Sequence, residues 1–180
     1  FHLKFRKVWS NEEFRYYLGF VLGFALIVTL GLQLTTGQTV EHSFRDSIFT
    51  VVSIMTTTGY VTADYLLWAP PLIFLIFTLM FFGGSAGSTG GGPKIMRIVV
   101  LLKNSMQELK RLIHPNAVIP VRLNKQAVNT EVVTNILAFI ALYLLVAIVS
   151  IFIMSLFGLD FESAIGSVLA TLGNIGPGIG

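Results

Sequence analysis

Cysteine is absent from the 180-residue chain, which excludes a disulfide framework, a zinc ribbon and thiol catalysis. Three histidines leave little scope for metal chemistry. Charge is scarce as well, at 12% of residues where a soluble domain averages about 25%. What fills the space is apolar: 54% of residues are hydrophobic, 15 are Phe, and the mean hydropathy is +0.78. A core of this size cannot hide so much apolar surface, so part of it faces an apolar solvent, and the bilayer is the natural one. The chain opens at Phe1 with no signal-peptide pattern ahead of the first apolar run, and so reads as a piece of a longer chain.

Three apolar runs are candidates to span a membrane: Phe14 to Leu32, Leu66 to Phe82 and Val132 to Phe157. At about 1.5 Å per residue, 19 residues cover about 28 Å, enough for the hydrocarbon layer. Ser10 with Glu13 has capping-box spacing and is expected to start the first helix, with Arg15 snorkelling to the interface. The second run dissolves into Gly83 to Pro93, where six glycines in eleven residues cannot continue a stable helix. Two shorter stretches, Ile48 to Met55 and Ala164 to Leu172, follow helix-start signals at Ser43 to Asp46 and Asp160 to Ser163. They are expected to be re-entrant half-helices, since backbone leaves the helical state at membrane depth only where it is buried in protein or lines a cavity.

Charge placement orients these segments. Lys4, Arg6, Lys7 and Arg15 precede or open the first run, and Lys94, Arg97, Lys103, Lys110, Arg111, Arg122 and Lys125 lie between the second and third. That puts eleven of the twelve basic residues on one side, which the positive-inside rule makes cytoplasmic. The opposite segments carry Glu41, Asp46, Asp64, Asp160 and Glu162 against Arg45 alone, an acidic vestibule that concentrates cations. Topology accounts for the basic stretch Lys94 to Lys125, so it is not read as a nucleic-acid surface.

Shifting the sequence by 117 residues lays Ser43 to Tyr60 on Asp160 to Pro177. Phe44 then meets Phe161, Ile48 meets Ile165, Val51 meets Val168 and Gly59 meets Gly176. The same shift overlays the first spanning run on the third. The repeated unit is helix, re-entrant loop, helix. It suits ion conduction, because a half-helix aims the negative end of its dipole at a cation and the loop beyond it offers backbone oxygens in place of water. Thr56, Thr57, Thr58, Gly59 and Tyr60 form the first such tip, and Gly173, Asn174, Ile175, Gly176 and Pro177 the second.

These tips, the Gly83-Gly84-Ser85-Ala86-Gly87-Ser88-Thr89 stretch and Ile113-His114-Pro115-Asn116-Ala117-Val118 together resemble the TrkH-like membrane subunits of the bacterial Trk/Ktr potassium uptake family, over essentially the whole chain. The resemblance implies an all-α integral membrane fold of potassium-channel type, with four helix, pore loop, helix repeats around one pore. Residues 1–125 would be the third repeat with its basic cytoplasmic segment, and residues 126–180 the fourth up to its filter. It further implies that potassium is the transported ion, held at filter carbonyls, with Gly59 and Gly176 as filter glycines. Gly83, Gly84, Ser85, Ala86, Gly87, Ser88, Thr89, Gly90, Gly91 and Gly92 would form a gating loop beneath them. Implied partners are a second copy in a homodimer and a cytosolic nucleotide-binding, TrkA-like ring docking near Lys94 to Lys125. The implied location is the bacterial cytoplasmic (inner) membrane, with no cofactor, no enzymatic activity and no nucleic acid. Gly173 departs from the pattern, since a polar residue is more common there.

Other readings of the glycine loop fare worse. Gly83-x-Ser85-x-Gly87 has the letters of a nucleophile elbow, but an apolar helix precedes it where a strand is required. Lys94 follows Pro93 and precedes Ile95, so the phosphate-binding loop pattern fails. The serious alternative is a secondary transporter with broken helices that binds substrate at the glycine loop; its repeats would often be inverted, whereas this repeat is direct.

Overall fold

The computed structural model describes residues 9–114 and 119–179. His2, Lys4, Arg6, Lys7 and the Pro115 to Val118 part of the last motif lie outside the described residues. Helix α1, Glu12–Thr36, is capped by Asn11, whose side chain accepts from the Glu13 N–H at 2.9 Å. The cap therefore falls one residue later than the expected Ser10, and the Glu13 carboxylate does not complete a capping box. Gly37, at φ 66°, ends the helix by donating to the Gln33 carbonyl.

Helix α2, Val40–Met55, packs back along α1 and begins three residues before the expected Ser43, which is instead a fully buried residue of its interior. Small polar side chains let the two backbones approach: Thr29 Oγ1 and Ser47 Oγ share a buried hydrogen bond of 2.5 Å.

The second expected span, Leu66 to Phe82, is not a single helix. Tyr65–Leu67 forms a 3₁₀ turn capped by Asp64, and helix α3 occupies only Pro70–Leu79. Pro70 and Pro71 cost nothing at a helix start but cannot sit inside one, so the run breaks there. Ten residues cover about 15 Å, half the hydrocarbon layer. The exit is tightened by i to i−3 bonds from Met80, Phe81 and Phe82, and the glycine loop follows. Its neck is stitched shut by Gly83 N–H to Pro93 O at 2.8 Å and Ile95 N–H to Gly84 O at 3.3 Å, after which helix α4, Ile95–Ile113, begins.

A two-residue hairpin that the sequence reading did not anticipate, β1 Arg122–Leu123 with β2 Gln126–Ala127, turns on Asn124 and Lys125, both left-handed. Helix α5, Thr130–Leu156, and helix α6, Phe161–Leu172, are capped by Asn129 and Asp160. The Asp160 carboxyl is held below its ordinary range by the Ser163 hydroxyl and then the Ser163 N–H.

Two helices, α1 and α5, are long and apolar enough to cross a membrane. The basic side of the sequence gathers at one end: Lys103 Nζ bonds Glu12 Oε2 at 2.5 Å and the Arg122 carbonyl at 2.9 Å, and the Glu12 N–H bonds Asn124 Oδ1 at 2.8 Å. One apolar core joins Val28 and Leu32 of α1, Val51 and Ile54 of α2, Leu72 and Ile76 of α3, Ile95 and Val99 of α4, and Leu169 of α6.

Because α3 is too short to be stable in isolation, its place depends on this core. Ile76→Ala, at a fully buried position, is expected to cost about 2–5 kcal/mol. Phe74→Ala, at a 65% exposed position, should stay within about 0.5 kcal/mol. Thermal unfolding of the detergent-solubilised complete protein measures both.

Candidate functional site

Three backbone hydrogen bonds of the first tip recur in the second at the 117-residue offset. Past the end of α2, Thr56 N–H bonds Val52 O, Thr57 N–H bonds Ile54 O and Thr58 N–H bonds Ser53 O; past α6, Gly173 bonds Leu169, Asn174 bonds Thr171 and Ile175 bonds Ala170 in the same order. The dihedrals repeat too: Thr57 and Asn174 are left-handed at φ 55° and 53°, and Gly59 and Gly176 follow at φ 78° and 105°. Thr56 to Gly59 and Gly173 to Ile175 spend their N–H groups on the helix behind them. Among the described residues, no hydrogen bond is donated to the carbonyl oxygens of Thr56, Thr57, Thr58 or Gly59, nor to those of Gly173 to Pro177. Two clusters of free carbonyls at the C-terminal ends of two helices, the negative ends of their dipoles, form a cation-seeking surface.

The tips touch. Gly59 lies so close to the Ile175 carbonyl oxygen that a Cβ would collide with it, and Pro177 crowds the same place. Beyond them, the Tyr65 hydroxyl donates to Gly178 O at 2.7 Å, tying the exit of one tip to that of the other. Tyr60, the last residue assigned to the first tip, has an exposed side chain and a carbonyl held by the Ser53 hydroxyl at 2.6 Å. Its oxygen is therefore engaged, unlike those of its neighbours.

The glycine loop lies against both tips. Gly90 abuts the Thr57 side chain, and Gly91 abuts Gly173 and Asn174. Gly83 and Gly84 are buried in the neck, while Ser85, Ala86, Gly87, Ser88 and Thr89 are exposed. The loop is held from two sides. Glu13, buried at the start of α1, accepts from the Ala86 N–H at 2.5 Å, and the Lys94 ammonium reaches back to Ser88 and Gly90.

Residues 20–180 match the model of the TrkH family, described as cation transport protein. The chain belongs to the TrkH family of cation transport proteins. It is 40% identical over 173 residues to the Trk system potassium uptake protein TrkH of Salmonella typhimurium, covering 96% of this chain and 36% of that protein. It is 38% identical over 171 residues to TrkH of Halomonas elongata, covering 95% and 36%. The crystal structure of the potassium transporter TrkH from Vibrio parahaemolyticus superposes with a TM-score of 0.90 at 36% identity, over 96% of this chain and 37% of that one. The chain thus spans a little over a third of the length of these relatives.

Within this TrkH-family chain several site residues escaped the sequence reading. Ser53 sits five positions before Thr58 and gives both its carbonyl and its hydroxyl to the first tip. Glu13 was assigned to a helix cap, and its partner 73 residues away has no local signal. Gly166 is the one with a readable cue, an isolated glycine in an apolar helical pattern, which signals close backbone approach. A Cβ there would drive into the backbone of Ile179, in the segment leaving the second tip. Gly166→Ala is therefore expected to lower the thermal stability of the complete protein by several degrees, whereas Gly19→Ala, where a Cβ meets open space, is not. Equal melting temperatures for the two variants would remove the packing constraint on the second tip.

Proposed function

We propose that the chain forms one complete helix, pore loop, helix repeat (residues 1–125) and the opening of a second (residues 126–180) in a potassium uptake transporter. In this reading Thr56 to Tyr60 and Gly173 to Pro177 are two walls of a selectivity filter, and residues 83–92 are the gate beneath them. The single observation that carries it is the pair of equivalent tips, offset by 117 residues, in which the carbonyls of Thr56 to Gly59 and Gly173 to Pro177 accept no hydrogen bond among the described residues. A dehydrated monovalent cation is bound by just such oxygens, with potassium the ion named for the relatives. Two walls do not surround an ion, so further repeats complete the ring, as the shorter span of the chain relative to its relatives allows. The location is the bacterial inner membrane, the transporter is a homodimer, and a cytosolic nucleotide-binding, TrkA-like ring acts on the basic face around α4 and the hairpin. The direct repeat argues against a broken-helix secondary transporter with substrate on the glycine loop.

Two measurements on the complete reading frame test this. Gly59→Ser should let sodium compete with rubidium uptake, because Gly59 has both a left-handed φ and no room for a side chain. Gly176→Ser should act in the same direction and more weakly, since its left-handed φ is strained by a side chain but space is open around it. Unchanged sodium competition in both variants removes these glycines from the filter. Deleting residues 85–89 should raise rubidium uptake per folded protein and reduce its dependence on the cytosolic partner; flux at or below wild type in well-folded protein rejects the gate.

A further inference from the structure

Lys94 follows the glycine loop in the sequence, and its charge turns back into that loop. The ammonium donates to the Ser88 carbonyl at 2.9 Å, to the Ser88 hydroxyl at 3.0 Å and to the Gly90 carbonyl. Among the described residues the ion pairs are His42–Asp46, Arg45–Glu41, Lys103–Glu12 and Arg111–Glu108. Lys94 has no carboxylate in contact, and three oxygens of the loop compensate its half-buried charge. Those oxygens belong to the segment in contact with the filter tips, since Gly90 abuts Thr57 and the next residue abuts Gly173 and Asn174.

The chemistry of this cage is specific. An ammonium group and a dehydrated potassium ion have the same charge and nearly the same radius, and both are satisfied by carbonyl and hydroxyl oxygens. Oxygens that hold one in place of water can hold the other.

We propose that Ser88 and Gly90 form a monovalent-cation site directly below the filter, and that Lys94 is a tethered cation occupying it. The proposal rests on the reading of residues 83–92 as the gate. With the ammonium in the cage, the loop is stapled across the path and its charge opposes a second cation there. When α4 draws Lys94 away, the staple is released and the same oxygens can receive the ion leaving the filter. Permeation and Lys94 occupancy are then mutually exclusive.

The complete protein reconstituted in liposomes, with uptake of rubidium measured per folded protein, tests this through chemical rescue. Lys94→Ala should raise uptake by roughly tenfold or more, the scale set by losing charge-assisted hydrogen bonds. Millimolar propylammonium on the cytoplasmic side, which replaces the missing side chain as a free cation, should return that flux toward wild type. Deleting Ser88 to Gly90 removes the cage itself, so that variant should have raised flux that propylammonium does not lower. Where Lys94→Ala does not give monodisperse protein, Lys94→Ser, which leaves nearly the same space, carries the same test. Raised flux in Lys94→Ala that ignores propylammonium would reduce Lys94 to a structural staple and overturn the cation site. Raised flux in the deletion with wild-type flux in Lys94→Ala would overturn the role of Lys94 and leave the gate standing. Wild-type flux in both would overturn the gate with it.

Discussion

Backbone carbonyls that have left their helix at membrane depth must be satisfied by something, since each unpaired polar group in hydrocarbon costs several kcal/mol. In the proposed pore that cost is concentrated in two short turns, Thr56 to Gly59 and Gly173 to Pro177, and much of the surrounding structure makes those turns tenable. Helices α2 and α6 end at the turns and take up the N–H groups of Thr56 to Gly59 and of Gly173 to Ile175, so the groups left without a partner among the described residues are mainly acceptors. The largest apolar cluster lies behind the tips: Met55 at the end of α2 and Ile175 within the second turn are both buried in it. In the proposed pore a dehydrated cation takes the place of the missing donors, and burial that would penalise an empty site becomes the source of ion affinity.

The two tips are alike in backbone and different in support. Ser53 anchors Tyr60 through its hydroxyl, while the equivalent Ala170 has nothing to offer Pro177. The second tip is braced by backbone approach instead, with Ile179 laid against Gly166 and Gly178 held by Tyr65. A repeat can therefore conserve the functional geometry while its sequences drift, because hydrogen bonds from the main chain to the main chain do not depend on side chains. This is why four coincidences in eighteen positions accompany three equivalent hydrogen bonds in the same order.

The glycine loop belongs to both tips and to the basic end at once. Gly90 and Gly91 touch the two tips, while Ala86 reaches Glu13. Glu12, the next residue, is bound to Lys103 of α4 and to Asn124 of the hairpin. A displacement of α4 is thus felt at the loop through its own chain at Lys94 and through the first turn of α1. Small residues allow the close approach at the filter; two charges, one of each sign, define where the loop rests.

Hydropathy and the 117-residue offset were sufficient to find α1, α5 and both tips, since apolar length and local turn chemistry are written in contiguous residues. The caps at Asn129 and Asp160, the ends of α2 and α6, and the left-handed glycines are of this local kind. Contiguous hydropathy failed at Leu66 to Phe82, where two prolines at positions 70 and 71 break a run of seventeen residues, and at Ser43, where tertiary packing against α1 extends the helix beyond its signal. Only the tertiary structure brought Glu13 to Ala86, Gly59 to Ile175 and Gly91 to Gly173. These contacts cross 73, 116 and 82 positions of sequence, and in each the group that is met is a backbone group that every residue carries, so the sequence does not show which partner Glu13, Gly59 or Gly91 will meet.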